Sequence, residues 1–172
     1  EHLRNLRRLT SNAKRRCAEA IRDADVVHLH GLWSPSNAQL AKISRREGKP
    51  WIINVHGVLD DWCMQQRGLK KRLYLATLGK AMVDGAASIL TTAEEEHRQA
   101  SQWLKNSNVP VIPCIVDLEP YKNVPSPQEA IEAFGHSYEP TVLFLSRVHE
   151  KKAIETLIDA SSILKRRGTP VR

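Results

Sequence analysis

Two short clusters carry the residues best suited to chemistry. The first is His56-Gly57, which follows the apolar run Trp51-Ile52-Ile53-Asn54-Val55 directly. A histidine at the end of a strand can donate a hydrogen bond or shuttle a proton near neutral pH, and the glycine lets a ligand approach the backbone. An ordinary loop histidine bonded to backbone fits the same residues. The second cluster is Ser146-Arg147-Val148-His149-Glu150-Lys151-Lys152, between an apolar run and an amphipathic one. Arg147 falls at a strand tip and Lys152 near the first turn of a helix. Free N–H groups at a helix start attract anions, and a guanidinium with an ammonium there makes a diphosphate site. A solvated basic turn is the competing explanation. His28 and His30 share one strand face and could be grouped with His56 as metal ligands, but no carboxylate or thiolate has matching spacing.

These clusters need elements to hold them, and the sequence alternates strand and helix signals almost throughout. Residues 3–22 place Leu3, Leu6, Leu9, Ala13, Cys17 and Ile21 at helical spacing. Residues 25–30 form a compact run closed by Gly31, too short for a helix. Ser34-Pro35 opens a helix that stops at Gly48. Residues 51–55 are a second buried strand. A basic helix is predicted from about Lys70 to Val83, a strand at 87–91, and a helix from about Ala93 to Leu104, with Thr92 and Glu95 as a capping box. Val109–Pro113 reads as a short proline-bounded strand. Four prolines between 117 and 140 surround one short helix near 127–134 and suggest a linker. Residues 141–145 restart the strand pattern, and Lys151 to Arg167 is a helix ending at Gly168.

Strands alternating with helices imply a parallel sheet with helices on both faces, and ligands bind beyond the carboxyl ends of its strands. The organisation expected is a domain over 1–117, a linker over 118–140 and a further βα unit over 141–172.

Composition sets outer limits. With 41% hydrophobic and 26% charged residues the chain is neither a disordered polymer nor a fibrous one. No apolar run approaches the roughly 20 residues of a bilayer span. The opening EHLRNLRRLT has no initiator methionine and no apolar signal core, so the chain reads as a piece of a longer one. Cys17, Cys63 and Cys114 are odd in number and far apart, which fits reduced thiols in a cytoplasmic protein. The net charge is +7, with basic runs Arg4-Arg7-Arg8, Lys14-Arg15-Arg16, Lys70-Lys71-Arg72 and Lys165-Arg166-Arg167. These could be solvated helix faces or contacts to an anionic membrane. Aromatic residues make up only 5%, with no aromatic-plus-basic stacking motif, so nucleic acid is not expected as a partner.

Taken together, four segments resemble family 4 of the glycosyltransferases, which have the GT-B fold. Ala24–Trp33 looks like that family's strand and loop in the acceptor-side domain. Lys49–Trp62 is similar to its P-x-x-x-x-x-H-G-x-L-D-x-W segment. Val111–Asp117 occupies the place of the I-P-N-G-V-D turn, and Phe144–Ile154 that of F-x-G-R-L-x-x-x-K-G-I, which opens the donor-side domain. The resemblance implies a Rossmann-type GT-B sheet and sugar transfer from a nucleotide-sugar donor, with anomeric retention and without a cofactor or an essential metal. The acceptor would be a saccharide, lipid-linked or other, and the location cytoplasmic or peripheral at the inner membrane face. It puts His56 beside the transferred sugar, Arg147 and Lys152 on the donor diphosphate, and Gly31, Gly57 and Asp60 in the acceptor- and sugar-side loops. Cys114-Ile115 departs from Asn-Gly, where a positive φ is expected, and Ser146 and Ala153 replace two glycines near the diphosphate. The segments before and after the chain that complete a GT-B cleft are not in this sequence, so the chain alone is expected to be inactive. Two alternatives fit less of this pattern: a non-catalytic basic module binding nucleic acid or an anionic membrane, and a nucleotide-sugar epimerase sharing the GT-B fold.

Overall fold

The computed structural model describes residues 8–104, 108–135, 141–169 and 171. The chain divides into two compact units, Glu1–Ile115 and Val116–Arg172, and each is taken by itself.

In the first unit, helix α1 (Ser11–Arg22) begins at Thr10, whose hydroxyl accepts the Ala13 amide. That satisfies one of the donors left bare at a helix start. The predicted residues 3–7 lie outside those described. Strand β1 (Val27–His30) leads through a loop to α2 (Pro35–Arg46), with Pro35 in the first turn as expected. Strand β2 (Trp51–Asn54) follows, then the short α3 (Asp61–Gln65), α4 (Gly68–Ala76) and α5 (Lys80–Asp84). The single helix predicted over 70–83 is thus two helices. Thr77 leaves helical geometry at φ −125° and ψ −95°, and Gly79 follows it. A Cβ at Gly79 would lie 2.5 Å from the Tyr74 ring, so only glycine fits this bend.

Strand β3 (Ser88–Leu90) and helix α6 (Glu94–Ser101) complete the pattern. The three strands run parallel in the order β1-β2-β3. Leu29, Ile53 and Ile89 stand side by side across them, and all three are buried. They seed a core that includes Leu32, Val55, Leu59, Met82 and Leu104. Trp51 anchors its edge, donating from Nε1 to the Met82 carbonyl at 2.9 Å. The strand predicted at 109–113 shortens to a parallel bridge between Thr91 and Val111. Ile89 still donates to the Asn108 carbonyl at 2.8 Å, but Pro110 has no N–H to return the bond, so no ladder forms on that side.

In the second unit, α7 (Pro127–Phe134) starts in a full capping box between Ser126 and Glu129 and ends at Gly135, where φ is +65°. Helix α8 (Ile154–Arg166) follows a single 3-10 turn at Glu150–Lys152. The helix predicted from Lys151 is therefore broken at Ala153, whose φ of +47° is left-handed. Residues 141–145 do not form the predicted strand. Leu143 and Leu145 are exposed, and no described strand pairs with them. A parallel strand has no hydrogen bonds of its own to close, so without a ladder partner its apolar run stays irregular. Neither Cys114 nor Ile115 takes a positive φ, so the departure from Asn-Gly leaves no strained backbone there. Among the described residues, Cys17, Cys63 and Cys114 form no disulfide.

Among the described residues, no helix is long and apolar enough to cross a membrane.

Candidate functional site

The carboxyl ends of β1, β2 and β3 bring His30, Asn54 and Leu90 into line, and the loops beyond them carry the site. The Gly31 amide donates to the Asn54 carbonyl at 2.8 Å, prolonging the ladder by one step. Gly31 then turns away at φ +78°. Asn37, from the first turn of α2, donates to the carbonyls of both His30 and Gly31, at 2.8 and 2.9 Å. The end of β1 is thus fixed from two sides.

Beyond β2 the chain reverses at once. Both His56 (φ +53°) and Gly57 (φ +68°) are left-handed, and the Val58 amide returns to the Val55 carbonyl at 3.4 Å. Two consecutive positive φ values are the signature of a type I′ turn, normally built from Asn and Gly. Glycine meets the second at no cost. A histidine at the first costs on the order of 1 kcal/mol, and such strain persists only where the surroundings over-determine it. Those surroundings are visible. His56 Nε2 lies 2.8 Å from His30 Nδ1, and the two rings are nearly parallel with centroids 5.2 Å apart. His30 in turn stacks on His28 at 4.3 Å. The Gly57 amide donates to the Glu96 carboxylate, whose other oxygen accepts from the Thr92 amide at 2.6 Å and hydroxyl at 2.8 Å. Trp33 Nε1 donates to the Val58 carbonyl at 3.3 Å. The loops after all three strands are therefore tied to one another.

Two expectations change here. Thr92 and Glu95 do not form a capping box: Ala93 is the N-cap, and Glu96 reaches back to Thr92 instead. Glu95 pairs with Arg98 and Gln99, and those hydrogen bonds hold its carboxyl down at about 2. Asp60 caps α3, accepting the Cys63 amide at 2.6 Å. The basic run on α4 is not all solvated. Lys71 donates to the Cys63 carbonyl and lies 5.4 Å over the Trp33 ring, while Arg72 lies 5.4 Å over Trp103.

His28, His30 and His56 are brought together, but as stacked rings. Among the described residues no group of three His, Cys, Asp or Glu side chains is arranged to hold a metal ion. Desolvation, then the neighbouring His30 and His56, push the His28 pKa down.

Arg147 and Lys152 lie in the second unit and are exposed. The Lys152 amide closes the 3-10 turn on the His149 carbonyl at 2.8 Å, and His149 Nδ1 accepts the Lys151 amide at 3.2 Å. Ala153 then redirects the chain into α8. Lys152 thus precedes a left-handed residue outside α8, instead of sitting inside its first turn.

His30 and Glu96 are the residues that motif spacing did not single out for His56. The signal for His30 was present in a His-x-His at a strand end, but its partner lies 26 residues away.

A parallel three-stranded sheet with helices around it, and loops after its strands tied to one another, defines a Rossmann-like αβ fold. Residues 1–114 match the family model described as a glycosyl transferase 4-like domain, and the chain belongs to that family. It is also similar to curated enzymes. A GDP-mannose:cellobiosyl-diphosphopolyprenol alpha-mannosyltransferase of Xanthomonas campestris is 31% identical over 102 residues. The enzyme of the same name from Xanthomonas oryzae pv. oryzae (strain PXO99A) is 30% identical over 103. The matches take in 59% and 60% of this chain but only 26% of each relative, so the matched stretch spans about a quarter of their length.

Proposed function

We propose that this chain supplies the acceptor-side part of a glycosyltransferase that moves a sugar from a nucleoside-diphosphate sugar to an acceptor. Anomeric configuration is retained and no metal is required. The names of the two relatives support a lipid-diphosphate-linked saccharide as acceptor. The observation that carries this reading is the strained His56 at the end of β2, held between His30 and the Glu96-bound Gly57. Backbone strain at a strand's carboxyl end marks a position kept for a ligand.

In this reading His56 contacts the transferred sugar, and Gly31 and Gly57 leave room for it. Asp60 holds the start of α3 so that the sugar-side loop keeps its shape. Arg147 and Lys152 bind the diphosphate and spread the charge that grows on it as it leaves, which is electrostatic catalysis. A contact with an anionic bilayer surface belongs to the same proposal. On α4, Leu69 and Leu73 are 83% and 63% exposed one turn apart, with Lys70 and Arg72 to either side. A lipid-linked acceptor would be met at that surface.

The test uses the intact gene product. His56→Ala should lower turnover by about a hundredfold or more, the lower end for a positioned histidine, with nucleoside diphosphate affinity unchanged. In calorimetry with a nucleoside diphosphate, Arg147→Ala should lose about 1.5–3 kcal/mol, as expected for charge-assisted hydrogen bonds. Wild-type turnover in His56→Ala would remove that residue from the site. Undiminished affinity in both Arg147→Ala and Lys152→Ala would remove the diphosphate assignment.

A further inference from the structure

The contact between His30 and His56 restricts what His56 can offer a ligand. The two facing nitrogens, His30 Nδ1 and His56 Nε2, are 2.8 Å apart, and a hydrogen bond at that distance holds a single proton. Either His30 Nδ1 donates, and His56 carries its own proton on Nδ1, or His56 Nε2 donates, and its Nδ1 is a bare acceptor. In both arrangements Nε2 is taken and Nδ1 is the nitrogen that remains. Two imidazolium rings cannot keep the contact, because two N–H groups would point at each other.

His30 is well placed to impose this. Its backbone carbonyl is held by Asn37, the following amide is bonded to Asn54, and His28 stacks on its ring. His56 is fixed from the other side by the turn and by Glu96 on Gly57. Of the ionisable groups, His28 on β1 stacks on His30 and Glu96 on α6 holds the amide that follows His56.

We propose that His30 is the positioning residue of His56, occupying its Nε2 and presenting its Nδ1 to the bound sugar. The pairing concerns the two rings alone, while its bearing on sugar transfer rests on the role given to His56 above.

The test separates the two. The chain is labelled with 15N-histidine, and the His56 ring nitrogens are followed by long-range proton–nitrogen correlation at neutral pH. In wild type the two His56 nitrogens should report one fixed tautomer. His30→Phe keeps a ring for stacking but removes the nitrogen, and should return His56 to the averaged pattern of a free imidazole. His30→Asn places an amide where Nδ1 stood and should restore the fixed pattern, whereas His30→Gln, with its amide one bond further out, should not. In the intact gene product His30→Phe should lower kcat about tenfold with donor KM unchanged, the low end for partners that orient a working imidazole, and His30→Asn should recover it. A His56 pattern unchanged in His30→Phe, or restored equally by Asn and Gln, would overturn the proposal. Should His30→Phe fail to fold, the Asn and Gln variants decide it alone. The tautomer shift seen together with wild-type turnover in His56→Ala would support the pairing and sink the functional reading instead.

Discussion

Residues 51–55 and 141–145 are nearly the same kind of string, yet one is a strand and the other is not. Trp51-Ile52-Ile53-Asn54 pairs with β1 on one side and β3 on the other, and Ile53 is fully buried. No described strand runs beside residues 141–145, and Leu145 is 89% exposed. The contrast runs through both units: among the described residues, every buried one falls in the stretch from Ile21 to Leu104. β-propensity is chiefly a measure of neighbours, and an apolar run becomes a parallel strand only when other strands complete its ladder.

The sharpest way to break this contrast is to remove matched side chains. Ile53→Ala should destabilise the first unit by about 2–5 kcal/mol in urea denaturation, the range for a buried aliphatic truncated to alanine. Leu145→Ala should change stability by less than ~0.5 kcal/mol, as surface substitutions do. Similar losses in the two variants would mean that 141–145 is packed in solution.

A second test concerns how tightly the first unit is filled. A Cβ at Gly85 would lie 2.7 Å from Cζ2 of Trp51, a ring that is buried and hydrogen-bonded. Gly85→Ala should therefore cost about 1–3 kcal/mol through overpacking, read as a lowered denaturation midpoint.

In the second unit the corresponding change should help. Ala153 is left-handed, where an L side chain is strained, so Ala153→Gly should stabilise α8 by about 1 kcal/mol or slightly less. Thermal melting followed by circular dichroism at the helix band would show it. A lower melting point would mean that the left-handed turn does not persist in solution.

The smallest effect is electrostatic. His28 has its pKa lowered from 6.5 in the folded state, so the unfolded chain takes up a proton first as pH falls. Stability should be full above about pH 6.5 and decline below it until the folded histidine also titrates. His28→Asn should flatten that part of the profile.

Much of this was legible from residue types. Pro35, the Ser126–Glu129 capping box and Gly135 set helix boundaries by local rules, although the same pattern at Thr92 and Glu95 forms no capping box. His56-Gly57 was legible because a strand ends there and a glycine follows. The rest depended on distant contacts. Glu95 and Glu96 are adjacent carboxylates, and only the position of Gly57 and Thr92 selects Glu96 for the loop. The break at Thr77 comes with the Tyr74 ring lying against Gly79, a contact that no spacing announces. Cation–π contacts by Lys71 and Arg72 depend on where Trp33 and Trp103 come to rest.

Glu96 joins a helix to two loops with one carboxylate, and this has a kinetic meaning. The amides of Gly57 and Thr92 are both shielded from deuterium exchange by that carboxylate. Fraying of the first turn of α6 should therefore lower the protection of both. A ligand that seats against the turn at His56 would slow exchange at Thr92 without touching it. The first turn of α6 thus reports whether the loop after β2 is occupied.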